Sequence, residues 1–188
     1  MNQINQLKAI TLGKKGNIIF DLFGHTSKGL PGLEIIGLGN AGKIIKEKFL
    51  FISKARQLKI PAKRYVLCVE SEDRREEMIQ MEVEQLELPL LLLFWALADI
   101  VPIASMSDFM AFGTVSPMGV VRQEVRMLKE VLRCYEEKKQ TQKMVLGQKV
   151  ISLLRHEDPK SHLFFEEVMC VDLEELMGEQ TPMQLLVS

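Results

Sequence analysis

Residues 28–73 read KGLPGLEIIGLGNAGKIIKEKFLFISKARQLKIPAKRYVLCVESED. Two phosphate-loop patterns overlap there. Gly37, Gly39 and Gly42 fit G-x-G-x-x-G, and Gly37, Gly42 and Lys43 fit most of G-x-x-x-x-G-K. Alone, the stretch predicts a small nucleotide- or phosphate-binding protein that uses the Gly37–Lys43 loop. Its flanks predict something else.

Upstream, Lys8–Thr11, a turn at Leu12–Gly16 and Asn17–Phe23 read as a β-hairpin. Gly29–Gly32 is a second turn and Leu33–Ile36 a short apolar strand. Asn40 is the expected N-cap of a helix from about Ala41 to Leu58, whose apolar positions are Ile44, Ile45, Phe49, Ile52 and Ala55. Lys59–Pro61 ends that helix, and Tyr65–Val69 is a buried strand. A dinucleotide fold leads its first strand into the glycine loop and places an acid about 20 residues after the last glycine. Here a hairpin comes first, and the candidate acid, Glu70, lies 28 residues after Gly42. A Walker loop needs a hydroxyl for magnesium where this chain has Ile44. The glycines are therefore expected to form a tight strand-to-helix turn.

Glu70–Glu87 is a compositional break, with eight acids against Arg74 and Arg75. It reads as a loop with a helical turn near Glu76–Gln80. Leu88–Ile100 is a hydrophobic helix with Pro89 in its first turn, too short to span a membrane. Met110–Val115 and Gly119–Arg122 read as a hairpin across Ser116–Met118. An amphipathic helix over Gln123–Lys139, a strand at Lys143–Leu146, a helix at Gln148–Arg155 and a strand at Leu163–Val171 follow. Asp172 then caps a helix over Leu173–Met177. The order predicts an α+β protein, a mixed α/β sandwich, with one domain over 1–178 and a tail over 179–188.

The chain has 188 residues, 47% apolar and 26% charged, with a net charge of −1, so no global basic field argues for nucleic acid. Cys68, Cys134 and Cys170 are an odd, dispersed set, which points to reduced thiols and a cytoplasmic protein. His25, His156 and His162 lack ligand spacing, so neither a metal nor a cofactor is expected. The N-terminal residues resemble neither a signal peptide nor a transit sequence.

The order of hairpin, Gly29-Leu30-Pro31, Ile35, Gly37-Leu38, Lys46-Glu47-Lys48 and Pro61 through Arg64 to Val69 resembles a known family. So do Leu88-Pro89 before an apolar helix, and the later Gly113, Gly119 and Arg122. The family is the competence-type magnesium-chelatase-like AAA+ proteins, and the likeness is to their N-terminal domain, over about residues 5–178. That resemblance implies a fold like the Lon proteolytic domain and ribosomal-protein domain 2. It also implies a role in assembly, or as an accessory to an AAA+ motor in DNA processing. Family members carry Pro-Asp where this chain has Gly39-Asn40, so the glycine fingerprint reads as drift of a non-nucleotide turn. These 188 residues hold no intact Walker A motif, sensor arginine or zinc module.

Lon-type hydrolysis needs a serine and a lysine base. By register, the serine position falls near Gln85–Leu86 and the lysine position near Leu128, beside Lys129. Neither supplies the chemistry, so no catalytic residue is expected and a degenerate serine protease is the weakest reading.

Lys43, Lys46, Lys48, Lys54, Arg56, Lys59, Lys63 and Arg64 face only Glu47 in their stretch. They read first as a solvated helix face, and otherwise as the candidate surface for nucleic acid or for a protein partner such as an AAA+ ATPase; the interleaved aromatics that single-strand stacking uses are missing. The oppositely charged Glu70–Glu87 reads first as a solvated loop of the same chain, and otherwise as a segment that joins a homo-oligomer head to tail. The reading is a non-catalytic interaction module.

Overall fold

The computed structural model describes residues 4–13, 16–71, 83–101, 106–124, 127, 143–146 and 170–172. It opens on a long hairpin. Strands β1 (Ile4–Gly13) and β2 (Gly16–Ser27) pair antiparallel, with Leu7 opposite Leu22 and Ala9 opposite Phe20. Side chains alternate between the faces of a strand. Along β2, Ile18, Phe20, Leu22, Gly24 and Thr26 are buried and the residues between them half-buried. One face of the hairpin is therefore the core face.

Strand β3 (Gly32–Ile36), helix α1 (Gly39–Ala55) and strand β4 (Arg64–Ser71) form a crossover unit with β3 and β4 parallel. On its other side β4 pairs antiparallel with β2. Helix α2 (Glu87–Leu97) follows a 3-10 turn at Val83–Leu86. Strands β5 (Phe109–Ala111), β8 (Lys143–Leu146) and β9 (Cys170–Asp172) extend the sheet in parallel beyond β1. The described sheet has seven strands in the order β3-β4-β2-β1-β5-β8-β9. A separate two-stranded ribbon pairs β6 (Thr114–Val115) with β7 (Val121–Arg122). The protein is α+β, with a mixed sheet.

Both helices lie on the core face. All eleven residues of α2 are buried, as a helix apolar on every side requires. Gly24 lets α2 settle onto β2, since a Cβ there would stand 2.7 Å from Leu97 Cδ1. The Phe94 ring meets Tyr65 edge-on, with centroids 5.2 Å apart. Trp95 Nε1 donates to Ser53 Oγ at 3.3 Å and joins α2 to α1. Among the described residues, no helix is long and apolar enough to cross a membrane.

The structure corrects several expected boundaries. Helix α1 starts at Gly39, and Asn40 is an exposed first-turn residue with no capping role. The helix ends at Ala55 because Gln57 turns left-handed (φ +56) and Leu58 N donates back to Ser53 O at 2.9 Å. Helix α2 ends at Leu97 in the same way, with Asp99 at φ +59 and Ile100 N bonded to Trp95 O. The hairpin expected over Met110–Arg122 divides at Gly113 (φ +137): Phe109–Ala111 joins the main sheet, and only Thr114–Val115 pairs with Val121–Arg122. Asp172 lies in β9. The helical turn at Glu76–Gln80, the helix at Gln148–Arg155, the helix after Asp172 and the tail lie outside the described residues, as does most of Gln123–Lys139 and Leu163–Val171.

Candidate interaction surface on helix α1

Helix α1 buries Gly42, Ile45, Phe49, Ile52 and Ser53. Ile44 and Ala55, expected in the core, are exposed instead. Each residue turns the helix about 100°, so Ile44 cannot share a face with Ile45, nor Phe51 with Phe49. The outward side carries Ile44 (67% exposed) and Phe51 (55%), with Leu50 also exposed. Ile44 and Phe51 lie about 20° apart around the axis and form one ridge. Lys43 and Lys54, both exposed, run beside it at a similar mutual offset. Neither exposed apolar residue stood out in the sequence. The signal was the helical phase, which separates adjacent apolar residues.

The structure divides the expected cationic set. Lys48 Nζ bonds Glu87 Oε1 in a mostly buried pair, with side chains 21% and 5% exposed. Arg56 Nη2 donates to the carbonyls of Met118 and Gly119 at 3.5 and 3.3 Å. Arg64 meets Glu34 at 2.8 Å, Lys63 meets Asp99 at 3.5 Å and Lys46 lies 3.9 Å from Glu47. Lys43, Lys54 and Lys59 are exposed and make no ion pair among the described residues. The surface is thus smaller than its composition suggests: a few solvated lysines beside an apolar ridge. Exposed pairs such as Lys63–Asp99 contribute little, about 0–1 kcal/mol each.

Arg56 also positions a further exposed apolar residue, away from the helix. It holds the turn between β6 and β7 against the end of α1, and Met118 at that turn is 76% exposed. Ser116 Oγ accepts from Val120 N at 3.1 Å and closes the same turn.

The glycine loop sits at the C-terminal end of β3, where a crossover unit can cradle a phosphate. Gly37 has φ +101, and a Cβ there would stand 2.5 Å from Val69 O. A Cβ on Gly42 lies 3.1 Å from Ile35 O, so that glycine sets the approach of helix to strand. Both glycines are accounted for by chain packing. Gly39 (φ +53) has open space before it. Dinucleotides bind at a switch point with parallel strands on both sides of the first strand. Here β3 is the edge of the described sheet, and the strand beyond β4 is antiparallel. Thermal unfolding with ATP, ADP and NAD should therefore show no shift. A ligand at 100 times its dissociation constant would add about 2.7 kcal/mol. A shift abolished by Lys43→Ala would establish the phosphate site instead.

Of the two protease register positions, the serine position is taken up by packing. Gln85 and Leu86 are buried in the 3-10 turn, and the Gln85 carbonyl accepts from Gly113 N at 2.9 Å. Leu128 and Lys129 lie outside the described residues. No cluster of His, Cys, Asp and Glu among the described residues could hold a metal. The Cys68 thiol is half-buried on the sheet face away from the helices, and burial, then Glu70 and Glu34, push its pKa up.

Compared with known proteins, the chain matches no family model and no curated protein.

Proposed function

We propose that this protein is a non-catalytic interaction and assembly module, accessory to an AAA+ ATPase that acts in DNA processing. The observation that supports a docking role is the outward face of α1, where Ile44 and Phe51 stand in solvent beside Lys43 and Lys54. Apolar residues exposed on a helix cost solubility unless something covers them. Basic residues beside them favour a partner with acidic and apolar character. The choice of an ATPase as partner follows from the motif resemblance. The same face speaks against a DNA backbone as the main ligand, because Ile44 and Phe51 offer phosphates nothing and few lysines remain to displace counterions.

The test is photo-crosslinking in cells from position 51 and, separately, from position 118. An AAA+ ATPase in either adduct is the expected result. Adducts without an ATPase would remove the accessory role.

A further inference from the structure

The chain is close to neutral overall, yet its charge is segregated. Residues 70–87 carry eight acids and two arginines, whereas residues 43–64 carry eight cations and one acid. Several of those cations are consumed within the protomer, by Glu87, Asp99, Glu34 and the β6–β7 turn. Those that remain, Lys43, Lys54 and Lys59, lie beside or just beyond the exposed Ile44–Phe51 ridge. The acidic stretch has the complementary composition. Residues 72–82 read EDRREEMIQME, in which Met78, Ile79 and Met81 form a short apolar run flanked by Glu77 and Glu82.

We propose that the outward face of α1 binds residues 72–82 of a second copy of this chain. The inference rests on the docking role proposed above: it gives the α1 face to a second copy and leaves the β6–β7 turn at Met118 as the place for the ATPase. Each protomer then offers both halves of the contact, the acidic–apolar segment and the basic–apolar helix face. Because the two halves are different patches, the contact is heterologous and repeats head to tail, which closes into a ring or runs on as a filament. One feature favours a second copy over an unrelated acidic protein: the complement is present in the same sequence, with charge of opposite sign and nearly equal size.

The experiment measures the mass of the full chain in solution by sedimentation over a range of concentration and salt. Wild type is expected to exceed one protomer, to grow with concentration and to shrink with salt, since exposed charges are screened beyond about 8 Å at physiological ionic strength. The variant K43E/K54E is expected to weaken assembly about tenfold or more. Combining it with E76K/E77K should restore assembly by swapping the charges. Circular dichroism and thermal unfolding of each variant check that the fold is kept, and F51S probes the apolar half of the contact separately. A wild type that stays monomeric at every concentration overturns the proposal, as does assembly indifferent to K43E/K54E and F51S. So does a charge swap that fails to rescue folded protein. Monomeric wild type that still yields an ATPase adduct from position 51 or 118 would sink self-docking and leave the accessory role standing. Assembly without any ATPase adduct would do the reverse.

Discussion

Replacing Glu87 by alanine should lower stability by about 3 kcal/mol, near the lower end for breaking a buried ion pair. The side chain has two duties. Oε1 bonds Lys48 Nζ, and Oε2 accepts from Val115 N at 2.8 Å. Truncation leaves an ammonium and a buried backbone N–H without their partner at the entrance to α2. The neighbouring backbone cannot rearrange freely, because Leu88 N bonds Gly113 O and Gly113 N bonds Gln85 O, at 3.0 and 2.9 Å. Lys48 retains some access to water, which keeps the cost from the upper end of the range. A domain of this size loses about 2–4 °C per kcal/mol, so the midpoint should fall by roughly 6–12 °C. The Lys48→Met/Glu87→Leu variant removes both charges and should lose less, because it avoids the isolated buried charge and keeps only the cost of the unpaired Val115 N–H. An unchanged midpoint for Glu87→Ala would mean that the pair is solvated and does not fix α2 to α1.

Gly37→Ala should cost about 3 kcal/mol, as left-handed strain is added to a backbone collision. At φ +101 an L side chain is strained by its own backbone, and here the new Cβ would also lie 2.5 Å from the Val69 carbonyl oxygen in β4. Relief requires β3 and β4 to move apart at their C-terminal ends, where the parallel pairing of Ile36 with Cys68 is made. Gly39→Ala is the matched control. Its φ of +53 lies in the ordinary left-handed region and no atom stands within 4 Å, so the loss should be about 1 kcal/mol. Chemical denaturation of both variants measures the gap. Equal losses would show that the turn is less constrained than its geometry indicates.

The fold was most legible where one local pattern decided the element. A glycine- and lysine-rich turn between β-branched and aromatic flanks marked β1 and β2, a β-branched run marked β4, and an unbroken apolar run marked α2. Boundaries were less legible, because the residues that end α1 and α2 are Gln57 and Asp99 rather than glycines, and only the completed fold puts them in the left-handed region. The departure of β5 from its hairpin depends on pairing with β1, about a hundred residues earlier in the chain, which local spacing does not encode. The cationic surface was legible as charge and illegible as a surface. Lys48 and Glu87 are separated by 39 positions and Arg56 and Gly119 by 63, so nothing in the helix itself marked those two cations as already engaged. Ile44 and Phe51 were hidden for the opposite reason: the helix has more apolar residues than one face can bury.

The seam between the two helices gives the protein its own optical label. Trp95 is the only tryptophan in the chain, is fully buried, and donates its indole N–H to Ser53 on the inner side of α1. Its emission therefore reports on the separation of the two helices. A ligand that settles on the outer side of α1 leaves that environment dry, and the spectrum stays blue. A binding event that pries the helix from the sheet admits water and shifts the spectrum red. One cuvette measurement thus distinguishes docking onto a rigid helix from docking that displaces it.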